Sequence, residues 1–144
     1  MIKSIYVIGS LRNSAVADFA NELQKAEVEA FADWKSPGEL ADDKWKEYSK
    51  ARGLSYAQAL ESYAAKHVFE FDKFHLDRCD AAVLLIPAGR SAHLELGYTI
   101  GRNKPGFIVF NGEPEDRWDV MLQFATKIFF SQEEFFEYIK QHNQ

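Results

Sequence analysis

Short runs of consecutive apolar residues constrain the fold of this chain more than any other feature of its sequence. The runs Ala81–Ile86 and Phe107–Phe110 contain no polar residue, so a strand formed by either must be buried on both faces. Further strands are predicted at Ile5–Ile8, Val28–Phe31 and Lys127–Phe130. Buried strands separated by helical patterns predict a flavodoxin- or Rossmann-like, doubly wound α/β fold, with about five parallel strands and helices on both faces of the sheet.

The segments between these strands carry the three- and four-residue apolar spacing of amphipathic helices. Helices are predicted from Asn13 or Ser14 to about Lys25, at Asp42–Lys50, from Ser55 to about Leu76, from Ser91 to about Arg102, at Trp118–Phe124 and after the capping box Ser131–Glu134. The chain has 144 residues and contains no internal repeat or low-complexity tract. Its length and pattern therefore predict a single domain, residues 1–144.

Charge and composition exclude several classes of function. A net charge of −5 argues against a nucleic-acid polymer as partner, because such binders need a basic face to neutralise phosphates. The apolar run at Ile5–Ile8 is too short for a signal-peptide core or a membrane span. Cys79 is the only cysteine, which excludes an internal disulfide framework and is typical of a structural thiol. We expect a cytoplasmic protein with no membrane partner.

Two polar segments follow predicted strands, where doubly wound sheets bind ligands. They are Gly9-Ser10-Leu11-Arg12 and Pro87–Glu95. The first offers a tight turn, backbone donors, a hydroxyl and a guanidinium, which are the parts of an anion site at a helix N-terminus. The side chains expected to converge on one phosphate or carboxylate are Ser10, Arg12, Arg90 and Ser91. An ordinary strand-to-helix turn with a solvated arginine is the alternative.

Two carboxyl groups are candidates for chemistry. With Ser91 as N-cap, Glu95 lies in the first helical turn or just beyond, where the helix dipole favours negative charge. We therefore expect an ionised Glu95, which suits a nucleophile; a merely helix-stabilising acid is the alternative. Asp72 lies between Phe71 and Phe74 on an apolar helix. Burial beside aromatic rings is expected to raise its pKa, as a general acid requires.

The remaining ionisable residues fit no known template for a metal or cofactor. The sequence has no Walker A motif and no dinucleotide glycine fingerprint. The histidines His67, His75 and His93 fit no zinc pattern with the nearby aspartates, so we expect no metal and no cofactor. We expect Asp80 to bond backbone at a strand entry, Asp77 to be a solvated turn residue and His93 to lie on a helix surface.

Several motifs, taken in order, resemble the nucleoside 2-deoxyribosyltransferase superfamily. They are Gly9-Ser10-Leu11-Arg12, Asp72 eight residues before Asp80, Glu95-Leu96-Gly97-Tyr98 and Asn103-Lys104-Pro105. The Gly-Ser-x-Arg turn is more similar to the nucleoside 5′-monophosphate N-glycosidase branch. By order of elements the resemblance covers most of the chain.

The resemblance implies roles for individual residues. Glu95 would be the nucleophile that attacks the anomeric carbon of the sugar, and Asp72 would help to protonate the departing base. Tyr6 matches an aromatic residue near the sugar and the catalytic carboxylate. The positions that match the 5′ end of the substrate are Ser10, Arg12, Gly89 and Ser91. The resemblance also implies a homodimer or larger assembly whose active sites a neighbouring subunit completes, and we expect residues 116–124 to be the donated segment.

Departures from the family pattern keep several functions open. Gly89 stands where the transferase branch has an acidic residue, which favours a phosphate-tolerant or hydrolytic member. Arg90 and His93 are not the family's usual residues. The first hypothesis is therefore cleavage or transfer of an N-glycosidic bond in a nucleoside or its 5′-monophosphate. A non-catalytic nucleotide-binding or sensing module is the second, and a flavodoxin-like flavin protein is the third.

Overall fold

A computed structural model describes all residues from 1 to 144 and contains one sheet of five parallel strands. The strands are β1 (Ser4–Ile8), β2 (Glu29–Phe31), β3 (Ala81–Leu85), β4 (Gly106–Val109) and β5 (Lys127–Phe129). The helices are α1 (Val16–Lys25), α2 (Ala41–Ala51), α3 (Tyr56–Leu60), α4 (Tyr63–Arg78), α5 (Arg90–Gly101) and α6 (Gln132–His142). The strand order β2-β1-β3-β4-β5 confirms the predicted doubly wound α/β fold.

The two faces of the sheet bury different sets of apolar side chains. One face packs against α1 and α6, where Phe19 and Phe135 meet Val7 of the central strand β1. The opposite face packs against α4 and α5, where Leu76 and Leu96 meet the other set of strand residues. Side chains alternate between faces along a strand, so Tyr6 of β1 belongs to the α4/α5 side. This alternation decides which helices can supply groups to Tyr6.

Several predicted helix boundaries were wrong. The helix expected from Ser55 to about Leu76 is two helices, because the Ser62 hydroxyl accepts a hydrogen bond from the backbone N–H of Ala65 and begins α4 anew. Neither Asn13 nor Ser14 is the N-cap of α1, which starts after Ala15 without a side-chain cap. The segment predicted as a helix at Trp118–Phe124 contains only a short 3₁₀ turn, Val120–Phe124.

Two further features bear on the class of protein. No helix of the chain combines the length and apolar character needed to cross a bilayer. Cys79 is buried at the end of α4, and burial raises the pKa of its thiol. A protonated, buried thiol is a poor nucleophile, as expected for a structural cysteine.

Candidate active site

The crevice of this sheet lies between the carboxyl ends of β1 and β3. After β1 the chain continues to β2 on one side of the crevice, and after β3 it continues to β4 on the opposite side. Doubly wound folds bind ligands where the connections diverge in this way. A cleft of about 390 Å³ opens at this point. It is lined by Ser10, Arg12, Asn13, Ser14, Pro87, Ala88 and Gly89. The two polar segments singled out in the sequence therefore meet, although Arg90 and Ser91 lie beside this lining and not in it.

The loop after β1 is fixed by bonds to its own backbone and to a residue beyond β2. The Ser10 hydroxyl accepts a hydrogen bond of 3.1 Å from the backbone N–H of Arg12. The Lys35 ammonium donates to the carbonyls of Leu11, at 3.1 Å, and Asn13, at 2.9 Å. Lys35 was missed by the sequence reasoning, and its only signal was its position just after a strand. It holds the shape of the loop after β1.

Close packing explains the glycine at the start of this loop. A Cβ added to Gly9 would lie 3.1 Å from Cγ2 of Val16, at the first turn of α1. The indole N–H of Trp34 donates a 2.7 Å bond to the carbonyl of Val7, which ties the residue after β2 to the end of β1. The Val16 side chain and the Trp34 ring together leave little room for a larger residue at position 9.

The positive charges near the cleft are free of carboxylate partners. The side chains of Arg12 and Arg90 are exposed, and no acidic group lies within 4.0 Å of either guanidinium. Helix α5 begins at Arg90 after Gly89, so the prediction of Ser91 as N-cap was wrong. The first N–H groups of any helix lack intrahelical partners. These donors and the two guanidinium groups make the rim of the cleft suited to an anion.

Glu95 is not among the residues that line the cleft, and its electrostatic setting differs from the one expected. Because α5 begins at Arg90, Glu95 is its sixth residue, beyond the first turn where the dipole acts. Burial raises the pKa of Glu95 to about 7, an interaction with the Tyr6 hydroxyl lowers it, and the charge of Asp72 raises it further. The expectation of a carboxylate held ionised by the helix dipole was therefore wrong, because burial has the larger effect.

Asp72 and Tyr6 complete a group of three ionisable side chains on the α4/α5 side of the sheet. Burial raises the pKa of Asp72, on α4, to about 6, in the direction predicted from its aromatic neighbours. The pKa of the Tyr6 hydroxyl is raised by its burial and by the charges of Glu95 and Asp72. Two carboxyls and a phenol that influence one another electrostatically can exchange protons and stabilise positive charge.

Other sequence predictions had mixed outcomes. Asp80 accepts hydrogen bonds from the backbone N–H groups of Lys3, at 2.8 Å, and Ser4, at 3.2 Å, as predicted for a strand-entry residue. Asp77 is not a solvated turn residue: it lies on α4 and accepts a 2.5 Å hydrogen bond from the Tyr98 hydroxyl. The exposed His93 lies on the surface of α5, with Nδ1 at 2.8 Å from the carbonyl of Gly89. No three His, Cys, Asp or Glu side chains are grouped to hold a metal ion.

Two solved structures share this fold over nearly their whole length. A 2-deoxyribosyltransferase from Bacillus psychrosaccharolyticus superposes with a TM-score of 0.62 at 14% sequence identity, covering 94% of this chain and 91% of that one. A conserved protein from Enterococcus faecalis V583 gives a TM-score of 0.65 at 13% identity, with 99% of each chain covered. The sequence matches no protein-family model and no curated protein. At these identities the likeness shows the fold.

Proposed function

We propose that this protein cleaves or transfers the N-glycosidic bond of a nucleoside or nucleoside 5′-monophosphate. The observation that carries the proposal is the pairing of two half-buried carboxyls, Glu95 and Asp72, with the Tyr6 hydroxyl on the α4/α5 side of the sheet. A paired nucleophile and acid is what glycosyl transfer with retention requires. The fold shared with a 2-deoxyribosyltransferase supports the same class of reaction.

The proposed chemistry proceeds in two displacements. The Glu95 carboxylate forms a bond to the anomeric carbon while the bond from that carbon to the base nitrogen breaks, and its electron pair leaves with the base. Asp72 gives its proton to the departing base. Water or a second base then attacks the anomeric carbon, the bond to Glu95 breaks, and the proton of the attacking group passes to Asp72.

The cleft between the two loops suits the 5′ end of such a substrate. Its lining includes Ser10 and Arg12, and Arg90 directly follows the lining residue Gly89; neither guanidinium has a carboxylate partner. Gly89 contributes no acidic side chain there, so a phosphate meets no fixed negative charge from this position. These features favour a 5′-monophosphate over an uncharged nucleoside, since charge-assisted hydrogen bonds are the stronger kind.

A panel of nucleosides and 5′-monophosphates, incubated with the protein and followed by chromatography of free base, tests the proposal. We expect wild type to release base from at least one substrate, and Glu95→Ala to release it about 10³-fold more slowly because the nucleophile is gone. Glu133→Gln removes an exposed first-turn carboxylate of α6 and serves as the matched control. Equal, negligible release by wild type and Glu95→Ala from every substrate would contradict glycosyl chemistry.

One observation favours the binding-only alternative. A pKa of about 7 leaves much of Glu95 protonated at neutral pH, and a protonated carboxyl is not a nucleophile. If the protein is a sensing module, calorimetry will show stoichiometric nucleotide binding without product, unchanged by Glu95→Gln. Binding with turnover excludes this alternative.

We also propose that the active form is a homodimer or larger assembly. The segment before β5 exposes large apolar side chains to solvent, with Trp118 84% and Phe124 71% exposed. Exposed apolar clusters of this kind are typical of contact surfaces. We propose residues 116–124 as the segment contributed to a neighbouring site, and light scattering on the purified protein checks the assembly.

A further inference from the structure

A cluster of polar side chains joins α4 to α5 near the C-terminal ends of both helices. We call it the Tyr98 cluster; it comprises Lys73, Asp77, Tyr98, Arg102 and Lys104. The Tyr98 hydroxyl donates to Oδ1 of Asp77 at 2.5 Å, and the Lys73 ammonium donates to Oδ2 of the same carboxylate at 2.8 Å. Both oxygens of Asp77 are therefore engaged, one from its own helix and one from α5.

Two more cations complete the cluster from the end of α5 and the loop after it. The Arg102 guanidinium donates to the Tyr98 hydroxyl at 2.9 Å and lies 3.4 Å from Asp77. The Lys104 ammonium donates to the backbone carbonyls of Asp77 and Cys79, the second at 2.8 Å. These carbonyls end α4, where positive charge is favourable. The pKa of Asp77 is lowered by its bonds to Lys73 and Tyr98, which keeps the carboxylate charged.

Asp77 and Tyr98, at the centre of the cluster, lie roughly one helical turn from the two carboxyls of the proposed site, and Lys73 directly follows Asp72. Asp77 follows Asp72 by five residues on α4, and Tyr98 follows Glu95 by three on α5. At 1.5 Å per residue these separations are about 7.5 Å and about 4.5 Å along the helix axes. Both helices connect parallel strands and run in the same direction, so the cluster joins them at the end opposite to the carboxyl ends of the strands.

The proposed chemistry needs this junction because Glu95 must reach the anomeric carbon while Asp72 reaches the departing base of the same substrate, which requires a fixed separation of the two carboxyls. The charge of Asp72 acts on Glu95 across the gap between the two helices. Leu76 packs α4 onto the sheet, whereas Phe69 and Phe74, on either side of Asp72, are 63% and 62% exposed. A direct bond between the helices resists their separation.

We propose that Tyr98 and Asp77 are positioning residues, which set the separation of the Asp72 and Glu95 carboxyls by fixing α4 against α5. The expected effect on base release rests on the proposed function, whereas the expected effect on the separation of the two carboxyls does not. Neither residue touches substrate in this proposal. Their effect is transmitted through the helices that carry the reacting groups.

The chain offers a matched control for the test. Tyr48 on α2 accepts a 3.1 Å hydrogen bond from Arg52, four residues later, and Arg52 lies 5.9 Å from its ring centre. Arg102 makes the same pair with Tyr98, at 5.6 Å from the ring centre. Tyr48→Phe therefore removes only a local tyrosine–arginine bond, the one from Arg52. Tyr98→Phe removes the equivalent bond from Arg102 and also the bond to Asp77 that joins the two helices.

The experiment measures the coupling of the two carboxyls without substrate. Carboxyl ¹³C NMR titration measures the pKa of Glu95 in wild type, in Tyr98→Phe and in Tyr48→Phe. Each measurement is repeated after Asp72→Asn is added to the same protein. We expect Asp72→Asn to lower the pKa of Glu95 in wild type and in Tyr48→Phe. In Tyr98→Phe we expect less than about half of that shift, because the carboxyls have moved apart.

The rate of base release is the second measurement. We expect kcat/KM for base release to fall about tenfold in Tyr98→Phe and to stay within about twofold of wild type in Tyr48→Phe. Undiminished coupling in folded Tyr98→Phe overturns the inference, and Asp77→Asn replaces that variant if it does not fold. If wild type releases no base but the coupling still falls, the proposed function fails and the positioning role stands.

Discussion

At the scale of single residues, the two carboxyls have an order of acidity that shapes the proposed reaction. Glu95 has the higher pKa, about 7, and Asp72 the lower, about 6. The reactive form carries its proton on Asp72, while the more populated singly protonated form carries it on Glu95. Positive charge developing on the sugar favours the ionised form of Glu95 as the reaction proceeds.

This order of acidity predicts a narrow pH profile. We expect kcat/KM for base release to be bell-shaped, to fall below about pH 6 and above about pH 7, and to peak between them. Asp72→Asn should lose the alkaline limb, because no proton is left to lose from residue 72, and should lower kcat/KM about 10²- to 10⁴-fold. Initial rates measured from pH 5 to 9 check this.

The control is Asp18→Asn, on the exposed side of α1, which should keep both limbs of the profile. An alkaline limb that persists in Asp72→Asn would rule out Asp72 as the acid.

At the scale of elements, the contact between β4 and α5 fixes the depth of the helix that carries Glu95. A Cβ added to Gly106 would lie 2.6 Å from Cγ1 of Ile100 and 2.9 Å from Cδ1 of Leu96. We expect Gly106→Ala to destabilise the protein by about 1–3 kcal/mol through overpacking. Because Leu96 adjoins Glu95, we also expect slower base release.

Urea unfolding measures the effect, with Gly101→Ala as the control. Gly101 is the last residue of α5, and a Cβ added there meets nothing within 4 Å. Alanine is a better helix former than glycine, so this control should stabilise the protein by about 0.5–1 kcal/mol. A Gly106→Ala protein as stable as wild type would mean that α5 adapts without cost.

The same elements show how far sequence alone could predict the structure. The strand β3 could be predicted because an apolar run without polar interruption fits only a strand buried on both faces. The break before α4 could not, since Ser62 resembles any polar residue on an exposed helix surface. The burial of Glu95 was also beyond prediction, because it comes from packing against other elements. Helix α5 begins after Gly89 and not after Ser91, which places Glu95 beyond the first turn, and its burial raises the pKa that the helix dipole was expected to lower.

The candidate site was predictable to a similar degree. The segments after β1 and β3 were identified because parallel strands bring their carboxyl ends to one edge. Lys35 and the Tyr98 cluster were not identified, because each acts on residues more than twenty positions away along the chain. Such partners become visible only when the strand order is known.

At the scale of the whole molecule, a buried carboxyl with a raised pKa makes stability depend on pH. An ordinary carboxyl has a pKa of about 4 in an unfolded chain, whereas that of Glu95 is about 7 in the fold. Between these values the folded state holds a proton that the unfolded state has lost. The free energy of unfolding attributable to Glu95 is therefore largest below about pH 4 and declines as pH rises to about 7.

Glutamine at position 95 cannot ionise, so Glu95→Gln should remove this decline. We expect the variant to gain about 1–3 kcal/mol relative to wild type between pH 4 and pH 8, after allowance for partial solvent screening. Urea unfolding at a series of pH values measures both proteins. The difference between them isolates Glu95 from Asp77 and His75, whose pKa values are lowered and whose contributions run in the opposite direction. A difference that does not change with pH would show that Glu95 has an ordinary pKa, whereas an increasing difference would mean that the molecule sacrifices stability at neutral pH to keep this carboxyl buried.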